Sequence, residues 1–98
     1  MSHEIIRDGD HLTVRVYGRL DVKTSPELED ELKPQLDGVS SLVVDLAQVD
    51  YVSSMGLRLL LVLQKRMAKQ GSMLVVNVRP EIMELFDDSG FANILSIA

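Results

Sequence analysis

Two short apolar runs, each rich in β-branched residues and bounded by turn residues, constrain this chain more than any other feature. The first is Ser41-Leu42-Val43-Val44-Asp45-Leu46-Ala47 and the second is Met73-Leu74-Val75-Val76-Asn77-Val78. Runs of this length and composition suit strands buried on both faces, as in a parallel sheet. Between them lies a helical stretch that opens at Ser53 or Ser54, continues to about Gln70 and stops at Gly71. A strand-helix-strand unit is therefore the expected centre of the fold.

The flanks extend that unit. Ile5-Ile6, the turn Asp8-Gly9-Asp10 and Leu12-Thr13-Val14-Arg15-Val16-Tyr17 read as two strands of a hairpin, with Leu12, Val14 and Val16 sharing one face. Gly18-Arg19-Leu20-Asp21 leads out of the hairpin. Ser25-Pro26-Glu27 predicts a helix start, with Ser25 as N-cap and Pro26 in the first helical position. Leu28, Leu32 and Leu36 follow at spacings of four, Pro34 kinks the last turn, and Gly38 ends it. Pro80 opens a third helix that ends near Ser89-Gly90, and Ile94 to Ile97 reads as a last short strand. The order β-β-α-β-α-β-α-β implies an α/β fold: a mostly parallel sheet with an N-terminal hairpin and helices packed on it. Crossovers that all step one way would put the helices on one face. Residues 1–98 form one expected domain, since a chain this short has room for a single core.

Charge and composition narrow the function. Fifteen acids against ten bases give a net charge of −5, and no lysine–arginine cluster offers the cationic face that phosphates require. Nucleic acid and anionic membrane are not expected partners; another protein is. The longest unbroken apolar run, Leu59 to Leu63, is far shorter than a membrane span. Met1-Ser2-His3-Glu4 has neither the basic start nor the apolar stretch of a secretion signal, so the expected compartment is the cytoplasm. With no cysteine, disulfides and thiolate metal sites are excluded.

Enzyme chemistry finds little support. The histidines, His3 and His11, both fall in the hairpin, and a serine nucleophile needs a base beside it. The G-x-S-x-G elbow fails because position 52 is Val52, and no phosphate-binding glycine loop is present. Asp87-Asp88 reads as a solvated charge pair, lacking the further oxygen ligands of a metal site. No cofactor is expected.

The informative stretch is Val49-Asp50-Tyr51-Val52-Ser53-Ser54-Met55-Gly56-Leu57-Arg58, at a strand-to-helix turn where α/β proteins place their sites. Two serines before a helix have an ordinary use, because a serine hydroxyl caps the first free amides for ~1 kcal/mol. The helix that follows is apolar on more than one side. Leu57, Leu60 and Leu61 fall on the side an amphipathic helix would bury, while Leu59 and Leu63 fall round the cylinder. Those two either meet a partner or pack against neighbouring helices.

Taken with Val43-Val44-Asp45-Leu46, the stretch resembles the signature of STAS domains of the anti-sigma-factor antagonist type. Three more pieces match in register: Gly18-Arg19-Leu20-Asp21, Gly71-Ser72-Met73-Leu74-Val75-Val76, and Pro80 through Phe86 to Ser89-Gly90. The resemblance runs from about Leu12 to Ile97. It implies that Ser54, two residues before Gly56, is a phosphoserine position, with Ser53 the second candidate where many members have aspartate. It further implies a protein whose unphosphorylated form captures an anti-sigma factor with serine-kinase activity and frees a sigma factor. That kinase would phosphorylate Ser54, and a phosphatase of the PP2C type would reverse the mark. The implied docking residues are Asp21, Ser53, Met55, Gly56, Arg58 and Leu59. The same fold also serves accessory subunits of membrane transporters and scaffolds of stress-sensing assemblies, which are the alternative reading.

Overall fold

A computed structural model describes residues 3–98. The hairpin consists of β1 (His3–Asp8) and β2 (His11–Leu20), and α1 (Thr24–Leu32) follows with a 3-10 turn over Lys33–Leu36. Then come β3 (Ser41–Val52), α2 (Ser54–Gln70), β4 (Ser72–Val76) and α3 (Pro80–Ser89), with a second 3-10 turn at Phe91–Asn93. The strands lie in the order β1-β2-β3-β4; β1 runs antiparallel to β2, and the other pairs are parallel. This is a single α/β domain of the expected class, mostly parallel behind an N-terminal hairpin.

Register explains where the core sits. Leu12, Leu42 and Met73 stand side by side across the three parallel strands, as do Val14, Val44 and Val75, and all six are buried. Leu28 and Leu32 of α1, Leu60 and Leu63 of α2, and Ile82 and Phe86 of α3 cover that face. The next row, Thr13, Val43 and Leu74, points to the other side and keeps part of its surface in water. The two strands expected to be buried on both faces are thus buried on one. Their apolar residues on the other face, Val43, Ala47 and Leu74, keep part of their surface exposed, and antiparallel-style alternation describes them better.

Four further expectations need correction. Ser25 is not the N-cap of α1: it lies inside the helix, buried, and its hydroxyl has no hydrogen-bond partner among the described residues. Pro34 does not kink a continuing helix, because α1 ends at Leu32 and Pro34 sits in the first turn of the 3-10 segment. β3 does not stop at Ala47 but pairs with β2 as far as Leu20 and Val52, through two register shifts, one of them beside Gly18 at φ +79°. Both shifts put the extra residue on β3, which bends there, and the left-handed Gly18 lets β2 follow the bend at little steric cost. Finally, Ile94 to Ile97 is no full strand: Ile97 makes one parallel bridge to Val75 on the outer edge of β4.

Candidate functional site

β2 and β3 end side by side at Leu20 and Val52, and both chains turn there into helices. The Ser53 amide donates to the Leu20 carbonyl at 2.9 Å, which fixes the start of α2 against the end of β2. Ser53 has the extended backbone of an N-cap (φ −86°, ψ 177°), and its hydroxyl oxygen accepts from the amides of Met55 at 3.2 Å and Gly56 at 3.4 Å. Ser54 is the first helical residue, is exposed, and its hydroxyl makes no hydrogen bond among the described residues. The two adjacent serines therefore have different surroundings.

Gly56 is a contact requirement. A Cβ built there would stand 2.4 Å from the Leu20 carbonyl oxygen and 2.9 Å from a Val52 methyl, both inside van der Waals range. With the helix pressed onto that carbonyl, its inward stripe becomes Gly56, Leu59, Leu60, Leu63 and Met67. Leu59 was expected among the docking residues; at 2% exposure it belongs to the core, so packing against neighbours explains it and Leu63. Leu57 and Leu61, expected inside, are only half-buried.

Asp21, in the turn beside this helix start, is held by the fold. One carboxylate oxygen accepts from the amides of Lys23 and Thr24, each at 3.0 Å, while the Asp21 amide donates to the Thr24 hydroxyl at 3.0 Å. The Lys23 that precedes α1 makes no side-chain cap, but the Ser25 amide donates to the Asp21 carbonyl at 2.9 Å, so the helical turn begins at Asp21. The reciprocal Asp21–Thr24 pair is its capping box, in place of the cap expected from Ser25. The Thr24 and Lys23 amides, with Arg19 at 3.2 Å from the other oxygen, hold the Asp21 carboxyl at about 2. Arg19 also lies over the Tyr51 ring, 4.2 Å from its centre, fixing an aromatic side chain that remains 42% exposed. Arg58, one turn beyond Ser54, is exposed and has no ion pair among the described residues. Met55 is half-buried beside it.

An open groove of about 460 Å³ runs from this point towards α3. Tyr51, Ser54 and Leu57 line one side, and Glu81, Ile82 and Leu85 the other. The α3 side was missed from sequence, because nothing in the order of residues says that Pro80–Ser89 starts beside Ser54.

Ser54 follows the far end of β3, whereas the His11 ring bonds to Ser41 at the strand's beginning, 2.9 Å away. His3 meets Glu31, and among the described residues neither imidazole bonds to Ser53 or Ser54. Among the described residues no cluster of three or more metal-ligating side chains occurs, and no helix is long and apolar enough to cross a membrane. The arrangement offers an exposed hydroxyl on a rigid helix start, ringed by ordered polar and apolar side chains. That suits reversible contact with another protein.

A family model for the STAS domain matches residues 3–98. The anti-sigma-B factor antagonist of Staphylococcus epidermidis is 35% identical over 99 residues, covering 99% of this chain and 92% of that protein. Among solved structures, the anti-sigma factor antagonist SpoIIAA in its unphosphorylated form superposes with a TM-score of 0.84 at 17% identity, covering 98% of this chain and 87% of that one. The phosphorylated form of SpoIIAA, a Bacillus cell fate determinant, superposes with a TM-score of 0.76 at 17% identity, over 98% and 90% of the two chains. At that identity the likeness to SpoIIAA concerns the fold alone.

Proposed function

The chain belongs to the STAS domain family, and from that membership we propose that it is an anti-sigma factor antagonist switched by phosphorylation of Ser54. It is a regulatory binding protein and not an enzyme. The observation that carries the Ser54 assignment is the division of labour between the two serines. Ser53 spends its oxygen on two helix amides, whereas the Ser54 hydroxyl is exposed and unbonded, accessible to a kinase without loss of a cap.

A phosphate brings about −1.5 to −2 charges and three acceptor oxygens. At a helix N-terminus the amides and macrodipole favour negative charge, so the fold survives the modification. What changes is the surface. In this reading an anti-sigma factor with serine-kinase activity docks in the cytoplasm on Ser54, Met55 and Arg58, with the ordered Asp21 turn beside them. Ser53 and Gly56 set the helix in place beneath that patch. Burying an unpaired phosphate against a partner costs several kcal/mol, and about 2.7 kcal/mol already weakens binding a hundredfold. A PP2C-type phosphatase restores the binding form.

The test is incubation with the purified anti-sigma kinase and ATP, followed by intact-mass and fragment analysis. One phosphate on Ser54, and none on the Ser54→Ala protein, is the expected result. Label on Ser53, or on the buried Ser25, overturns the assignment.

A further inference from the structure

We infer that the groove between the starts of α2 and α3 receives a basic, apolar segment of the partner: an apolar side chain on the floor, and a lysine or arginine beside it reaching Asp50 and Glu81. This deepens the function proposed above and relies on it only for the partner's identity.

Three observations point to that occupant. The first is the apolar lining, to which α2 gives half-buried Leu57 and α3 gives half-buried Leu85 and buried Ile82. An apolar floor open to water gains free energy when a partner covers it. The second is Tyr51, a large amphipathic side chain at the groove wall. Arg19 already orders it by lying over the ring, so docking loses little side-chain freedom there. The third is charge. Asp50 and Glu81 both line the groove, both are exposed, and neither has an ion pair among the described residues. Two unpaired carboxylates beside an apolar floor select a cation next to an apolar anchor and repel an acidic segment. The open face of the sheet carries no such demand, because there Arg15 already pairs with Glu4 and Asp45.

Ser54 belongs to the same lining. A phosphate there would add a hydrated dianion at the mouth of the groove, and an apolar anchor can settle beside it only by stripping its water. Phosphorylation would thereby oppose binding even of a partner that carries positive charge.

The test needs neither kinase nor partner. The isotope-labelled protein is titrated with two synthetic amphipathic peptides of equal length, one presenting leucine with lysine, the other leucine with glutamate. The leucine–lysine peptide should shift the amide resonances of Tyr51, Leu57 and Leu85. Its affinity should fall roughly tenfold in the Asp50→Lys, Glu81→Lys double variant, which should instead come to prefer the leucine–glutamate peptide. Asp30→Lys, a single charge change of the same kind on exposed α1 surface, should leave the preference for lysine unaltered. Shifts centred on the open sheet face, no shifts up to millimolar peptide, or no change of preference in the double variant would overturn the inference. Failure of the kinase to modify Ser54 would instead strike the proposed switch and leave this result standing.

Discussion

α1 and α2 start at the same end of the sheet, after the neighbouring inner strands β2 and β3, and they start differently. At α1 the loop's own groups complete the cap: Asp21 accepts from two amides and Arg19, Thr24 returns the bond, and the hydroxyl left unbonded among the described residues, that of Ser25, is sealed in the core out of reach. At α2 a single residue, Ser53, does the capping, and the next hydroxyl, that of Ser54, is left in water. A helix start can be completed by its own loop or left with a surplus group. Only the second kind can accept a modification without first breaking something.

The sharpest way to break that contrast is to lift α2 off β2. Gly56→Ala would set a methyl 2.4 Å from the Leu20 carbonyl, an atom of the backbone that cannot rotate away. Overpacking of this kind costs typically 1–3 kcal/mol, and a backbone neighbour puts it at about 3. Urea unfolding should show that loss; a variant as stable as the parent would mean that α2 rides more loosely than the contact implies. Ser53→Ala comes next, at ~1 kcal/mol, since it strips the oxygen from two helix amides.

A smaller effect, dependent on pH, distinguishes the other start. Asn at position 21 keeps an acceptor oxygen but loses the charge that Arg19 pairs with, so Asp21→Asn should be less costly than Ser53→Ala at neutral pH. The Asp21 carboxyl titrates at about 2 in the fold against an ordinary 3.8, so the folded protein binds this proton less readily than the unfolded chain. Its stabilising contribution is complete well above pH 3.8 and is lost as the pH falls from there towards 2. Thermal melts of parent and variant should converge over that window. Parallel curves would show that the charge does nothing for the turn.

These starts also show what a sequence discloses. The beginning of α2 was legible because Ser53 and Gly71 bracket it with ordinary cap chemistry, and α3 because Pro80 and Gly90 do the same. The cap of α1 was misread because Ser25-Pro26 imitates a helix start, while the true one, Asp21 with Thr24, lies one turn earlier in a capping box with aspartate first and threonine, not Glu or Gln, at its second place. The inward face of α2 was misread because Leu57 and Leu59 to Leu63 are almost uniformly apolar, so periodicity has no polar marker to lock onto. A glycine forced against a carbonyl was the usable signal: counting three, four, seven and eleven residues on from Gly56 gives Leu59, Leu60, Leu63 and Met67. The groove was not legible at all, since its walls come from segments brought together only by the crossover from β3 to β4.

The smallest expected effect bears most directly on the switch. Ser54 occupies the first helical position, where its own amide is beyond the reach of the helix ladder and its hydroxyl bonds to nothing among the described residues. Ser54→Ala removes no hydrogen bond and leaves the helix with a better helix former, so stability should stay within about 0.5 kcal/mol of the parent. Ser54→Asp places a negative charge in the first turn, where the macrodipole favours it by roughly 0.3–1 kcal/mol, and its melting temperature should equal or slightly exceed the parent's. Binding to the anti-sigma factor should separate what stability does not: unchanged for Ser54→Ala, sharply weaker for Ser54→Asp. If Ser54→Ala cost as much as Ser53→Ala, the hydroxyl would be part of the fold after all. Phosphorylating it would then disturb the helix itself, and the difference between the two helix starts would vanish.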